Sequence, residues 1–236
     1  MTARSPYRPV GRSNTVRGVI ADALPRPRLR GVIHRYAAFA FAIGFTALIV
    51  AASDAADRGW VGVHGLSIVT MLAVSAAYHS DRRSEAARRV LKRIDHSTIL
   101  LAIAGSYTGV VGLGLDGPSR RWLLITVWGV AIVGVAIRML WLGAPYPLVA
   151  AVYLAVGWVA LVDVSAIAAS LTAVELGLVV AGGALYTLGA LVYALHAPNP
   201  WPRTFGYHEL FHSLVVLAAA AHFGAVALII SASSGT

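Results

Sequence analysis

The sequence predicts an all-α, polytopic membrane protein: a seven-transmembrane helix bundle with its N-terminus in the cytoplasm. Three observations carry this. Of 236 residues, 58% are hydrophobic and only 12% charged, with a mean hydropathy of +0.74; a soluble domain carries about 25% charged residues. Seven apolar stretches are each long enough to cross a hydrocarbon core of about 30 Å, which takes roughly 20 helical residues. Lys and Arg are distributed so unevenly over the connections that they fix an orientation.

The spans are predicted at His34–Ser53, Trp60–Tyr78, Ser97–Leu115, Trp122–Leu142, Pro147–Ile167, Ala173–Leu195 and Glu209–Ile230. The domain reading is a basic cytoplasmic tail over 1–32, the membrane domain over 33–231 and a short outer tail over 232–236. The basic tail carries seven arginines spread among Pro, Ser and Gly, with Arg35 just beyond it and Asp22 as its one acid. It reads as disordered, with a short interfacial helix near Val16–Leu24, and has neither the apolar core nor the cleavage site of a signal peptide. A charged connection, Ser80–His96, follows the second span, and a Pro-rich one, Ala197–Tyr207, precedes the seventh. With the N-terminus inside, 16 of the 19 Lys and Arg residues are cytoplasmic and only Arg58, Arg120 and Arg121 lie outside. The formal charge of +9 is then an orientation signal that also favours anionic headgroups, with no nucleic-acid partner needed.

Cysteine is absent, which excludes disulfides and thiolate metal sites. Polar residues at membrane depth are costly, so each is a functional hypothesis. Ser75 and His79 close the second span, Asp95 opens the third, and His208 and His212 open the seventh. The topology derived from Lys and Arg alone brings these groups to one cytoplasmic level. His208 and His212 are four residues apart, so both rings project from one helix face and can reach a single ion. Three neutral imidazoles leave a fourth tetrahedral position for water, the pattern of catalytic zinc. Asp95 is placed to orient that water and accept its proton, and Ser75 to donate to a developing oxyanion. Paired histidines also occur in the headgroup layer with no ion; the third imidazole and the carboxylate at matching depth favour the metal. The ligand set suits zinc and several other ions.

The residues SAAYHS, then RIDHSTILLAIAGSYTG, then GYHELFH resemble the hemolysin III family, which belongs with the progestin and adipoQ receptors, among them the adiponectin receptors. PRLRGVIHRYAAF is similar to the approach to the first span in some bacterial members. The likeness runs from about Pro27 to the C-terminus. It implies a seven-helix bundle with a zinc ion (Zn2+) near the cytoplasmic face of the plasma membrane. It further implies His79, His208 and His212 as ligands, Asp95 as the residue that holds the water, and Ser75 as the motif serine. Relatives resemble hydrolases of ceramide-type lipid amides, and bacterial members are linked to haemolysis and membrane-lipid homeostasis. Two positions depart from the pattern. Arg30 stands four residues before His34, where many members carry Glu and Asn ahead of the first-span histidine, and Gly109 follows SYT where many have Pro.

The remaining polar residues have structural expectations. His34 is expected to be an interfacial anchor rather than to stand behind the site. His96 points about 100° away from Asp95 on a helix and reads as packing. His64 and His222 lie too deep to share the ion. Glu209 neutralises a helix N-terminus, and Arg138 and Asp163 snorkel from span ends. Gly105, Gly109 and Gly112 allow another helix to approach the third span closely. A retinal protein is excluded, because the only lysine is Lys92, in a charged connection.

The leading functional expectation is therefore a zinc-dependent membrane hydrolase of lipid amide or ester bonds, with a lipid substrate or ligand in the bundle. The alternatives are a non-enzymatic regulator or receptor with structural zinc, and a pore-forming haemolysin. The pore reading is physically awkward for a chain that is hydrophobic along its length and carries no export signal.

Overall fold

A chain inside hydrocarbon has to satisfy its backbone groups internally, and a helix does so within each segment. The computed structural model describes residues 27–79, 84–141 and 143–234. Its helices are α1 (Val32–Ala51), α2 (Ala55–His79), α3 (Glu85–Gly114), α4 (Gly117–Leu140), α5 (Tyr146–Gly157), α6 (Val164–Ser170), α7 (Ala173–Leu195) and α8 (Tyr207–Ser234). A 3-10 turn, Trp158–Asp163, joins α5 to α6, and these three pieces make one span. Among the described residues there are seven helical spans long and apolar enough to cross a membrane, as predicted. The expected interfacial helix near Val16–Leu24 lies outside the described residues.

Helix α3 sits at the centre. Within its apolar stretch 67% of residues are buried inside the protein, against 17% for α1. Its small residues explain how. A Cβ on Gly105 would meet Ser67, one on Gly109 would meet His64, and one on Gly112 would come within 2.7 Å of Trp60, all three on α2. The glycines let the two backbones approach, and contact at short range is what holds helices together where no hydrophobic drive operates between them. The expectation for this glycine row is met. Gly109 does more than spare the chain a proline bend, because its missing side chain is the space that the His64 ring fills.

The core lies between α1, α2, α3 and α8, around Phe45, Ile68, Leu72, Val111, Val215 and Val226. A smaller cluster of Leu100, Ala104, Val127, Ala131 and Val156 joins α3 to α4 and α5. Helix α7 packs along α8, and α1 along α2.

Three features depart from the sequence reading. Helix α3 starts at Glu85, about three turns before the predicted span, with Ser84 accepting from the Ala87 N–H at 3.3 Å as its N-cap. EAARRVLKRID is built of good helix formers, so the charged connection continues the helix beyond its apolar part. The fifth span is broken at Gly157. There the Tyr107 hydroxyl donates to the Gly157 carbonyl and accepts from the Ala160 N–H, each at 2.7 Å. Those are the backbone groups that the break frees. Arg138, expected to snorkel, is instead buried and folds back on its own helix end, donating to the Trp141 carbonyl at 3.3 Å. The N-terminus of α7 is closed by a capping box: Thr172 accepts from the Glu175 N–H, and Glu175 accepts from the Thr172 N–H.

Candidate metal centre

Helix ends supply the site. Helix α2 runs toward the end of the bundle at which α3 and α8 begin, so its last residue, His79, meets the first two turns of α8. His208 and His212 project from one face of α8, one turn apart, as their spacing requires. The His79 and His208 Nε2 atoms are 3.1 Å apart. The ring centroids of His79, His208 and His212 are separated by 4.7, 5.1 and 4.5 Å. One ligand nitrogen from each ring lies within 4.8 Å of the other two.

Two nitrogens bound to one tetrahedral zinc at 2.0–2.1 Å stand about 3.3 Å apart. The His79–His208 spacing is already close to that value. The whole trio needs to tighten by no more than about 1.5 Å to meet it. The donor set, three imidazoles with no thiolate, belongs to the chemistry of zinc, copper, cobalt or nickel. These residues form a cluster able to hold a metal ion.

Asp95, in the third turn of α3, is not a member of the trio and reaches it through Ser75. The Ser75 hydroxyl donates to the Asp95 carboxylate, and both side chains are buried. Ser75 is one turn before His79 on the same face of α2, with Cβ atoms about 5–6 Å apart at that spacing. The serine thus fixes the carboxylate about one helical turn into the bundle from the imidazoles.

The other histidines fall as the sequence divides them, with one exception. The His96 Nδ1–H donates to the Lys92 carbonyl at 2.7 Å, and the His96 carbonyl accepts from Tyr153 at 3.0 Å, a packing role. The His222 Nε2–H donates to the Val179 carbonyl at 3.2 Å, and His64 is enclosed against Gly109 and Phe45. His34 is the exception. It is not an interfacial anchor: only 2% of its surface is exposed, and its ring lies flat on that of His212, with centroids 3.8 Å apart and planes within 6°. The first helix starts beneath the α8 histidines, so the side chain turns inward.

Two further residues were not legible as part of the site. Arg30 donates from Nε to the Glu209 carboxylate, a side chain 1% exposed. Glu209 also accepts from the Gly206 N–H at 2.8 Å, which caps α8 in the way its position predicts. Gly31, at φ 77°, turns the chain against α2, where a Cβ would stand 2.9 Å from the His79 Cβ. Opposite charges at the starts of the first and last spans were the available signal for the Arg30–Glu209 pair.

A family model described as Haemolysin-III related matches residues 23–223. The chain belongs to that family. The matched stretch contains the three imidazoles, Ser75, Asp95 and the segment around Arg30. Among relatives, a "Hemolysin-3 homolog" of Bacillus subtilis (strain 168) is 30% identical over 209 residues, covering 89% of this chain and 92% of that protein. A "Hemolysin-3" of Bacillus cereus is 28% identical over 161 residues, 68% of this chain and 70% of that one. An "Adiponectin receptor protein" of Drosophila melanogaster is 28% identical over 182 residues, covering 69% of this chain but only 40% of the longer insect protein. The resemblance carried by SAAYHS, RIDHSTILLAIAGSYTG and GYHELFH therefore holds over most of the chain. The family and the seven apolar spans together make this a multi-pass membrane protein.

Proposed function

We propose that this haemolysin-III-related protein is a zinc-dependent hydrolase that cleaves a lipid amide of ceramide type, or a lipid ester, from within the plasma membrane. One observation carries the reading. Three imidazole nitrogens from two distant helices lie within 4.8 Å of one another, and Ser75, one turn before His79, holds a buried carboxylate. The uneven distribution of Lys and Arg supports a cytoplasmic position for this end of the bundle.

His79, His208 and His212 would hold the ion. A zinc ion bound there would supply Lewis-acid polarisation of the substrate carbonyl and a water whose pKa is brought toward neutrality. Asp95 takes the proton of the attacking water as the new C–O bond forms, and delivers it to the departing nitrogen or oxygen as the C–N or C–O bond then breaks. Ser75 keeps the Asp95 carboxylate in one orientation while it is ionised. Once Asp95 has taken up the proton, it no longer demands the Ser75 hydrogen, which becomes available to an oxygen gaining charge.

The test is elemental analysis of purified protein together with a lipid-amide assay. The expected result is one zinc per chain in the wild type, and loss of both zinc and turnover in the His208→Ala/His212→Ala variant. Wild-type protein without stoichiometric metal, with that variant as active as the wild type, would overturn the reading.

A further inference from the structure

The chain immediately before the first span does not simply lead into the membrane. Residues Pro27–His34 run across the end of the bundle that carries the histidine trio and touch the surroundings of each ligand separately. The Arg28 N–H donates to the Arg203 carbonyl and the Leu29 N–H to the Thr204 carbonyl, both at 3.2 Å. These two bonds lay the segment along the connection that leads into α8. Arg30 then pairs with Glu209, the residue after His208. Gly31 packs against His79, with His79 Cβ and the Ala76 carbonyl at 2.9 and 3.4 Å from where its own Cβ would be. His34 stacks on His212.

Each contact constrains something different. The Arg30–Glu209 pair holds the first turn of α8 in rotation, and that rotation decides where the His208 ring points. Gly31 sets how far the last turn of α2 stands from the first turn of α1. The flat stack fixes the plane of the His212 ring, and a ligand nitrogen meets its ion only along the ring plane. Together they set the spacing and aim of three imidazoles that come from residues 79, 208 and 212.

On that basis we infer that Pro27–His34 is a strap that positions the metal ligands, with Arg30 and His34 as its positioning residues. This rests on the proposed metal centre and deepens it. Neither residue is a ligand. Both act through the ligand that they touch, as partners behind a metal site do when their loss costs about 10–100-fold in metal affinity.

The experiment measures metal affinity of the full chain in detergent, by chelator competition with zinc and by the visible absorption of the cobalt-substituted protein. Thermal midpoints of the metal-free forms are recorded alongside. Arg30→Gln is expected to weaken zinc binding by about 10–100-fold, with Arg30→Lys recovering part of the loss. His34→Ala is expected to weaken binding and alter the cobalt spectrum. His34→Phe, which keeps a flat ring on His212, stays close to the wild type. Because Arg30→Gln strands a buried carboxylate, an Arg30→Gln/Glu209→Gln variant removes both charges while the introduced amide oxygen still caps the Gly206 N–H. The same loss of affinity is expected from it.

If these variants lower the thermal midpoint but leave zinc affinity and the cobalt spectrum as in the wild type, the strap is a structural tie only and the inference falls alone. If wild-type protein takes up no metal, the metal reading falls and the inference with it.

Discussion

The His64 ring occupies the space that a side chain on Gly109 would need. This contact ties α2 to α3 in the middle of the bundle, where neither helix can move aside without disturbing the Ser67–Gly105 and Trp60–Gly112 contacts on either side of it. A methyl group added at Gly109 has to displace the ring or part the helices. Gly109→Ala is expected to cost about 1–3 kcal/mol, the range for overpacked interiors. Gly129→Ala, at a helical position with open space around it, is the control and does not lower stability. Thermal midpoints of the two variants in the same detergent decide the matter.

Tyr107 holds the break in the fifth span. Removing its hydroxyl leaves the Gly157 carbonyl and the Ala160 N–H without the partner they have now. A backbone polar group that faces lipid with no partner cannot turn to water, and leaving it unsatisfied costs about 1–3 kcal/mol. Tyr107→Phe is expected to destabilise the protein by about that amount. The damage is local, so amide hydrogen exchange across residues 157–163 should accelerate while α2 and α8 stay protected. Uniform exchange through the whole bundle would show that the hydroxyl has no special part in the break.

Metal binding should be lost on acidification. An imidazole ligates only through an unprotonated nitrogen, so protons compete with the ion at three rings at once. Zinc affinity is therefore expected to fall steeply as pH is lowered, and zinc's contribution to the thermal midpoint to fall with it. Chelator treatment at neutral pH should lower the midpoint of the wild type and leave that of a His79→Ala/His212→Ala variant where it is. Calorimetry at several pH values, with and without chelator, measures both effects.

Asp95 and Ser75 separate chemistry from assembly. Because neither is a ligand, Asp95→Asn and Ser75→Ala should both retain zinc. Asp95→Asn is expected to lower hydrolysis of a lipid amide by about 10²–10⁴-fold, the usual contribution of a positioned acid–base group. Ser75→Ala, which only releases the carboxylate from one hydrogen bond, should cost about tenfold. A zinc-loaded Asp95→Asn protein with wild-type turnover would remove the carboxylate from the reaction.

What can be read in the sequence, and what cannot, follows from the range of the forces involved. Apolar length marks the spans, since a bilayer imposes one thickness on every crossing. The i, i+4 spacing puts His208 and His212 on one face, and charge asymmetry puts His79 at their level without any knowledge of packing. The helical extension Glu85–His96 escapes because hydropathy registers the apolar part of a helix and ignores the polar turns that continue it. Arg138 and His34 read as interfacial because snorkelling is what such residues do on an isolated helix. Their burial depends on which neighbour stands beside them. The Arg30–Glu209 pair spans 179 residues, and no local pattern reports a contact of that reach.

That separation has a consequence for how the protein is made. The strap leaves the ribosome ahead of α1, whereas the α8 histidines follow only after six spans. The two meet only once the seventh span has begun to emerge. Until then the first six crossings can partition into lipid, but His79 has no ring to face and Arg30 no carboxylate. Assembly of the histidine cluster thus waits for the seventh span, and a chain stalled before that span has one imidazole of the three.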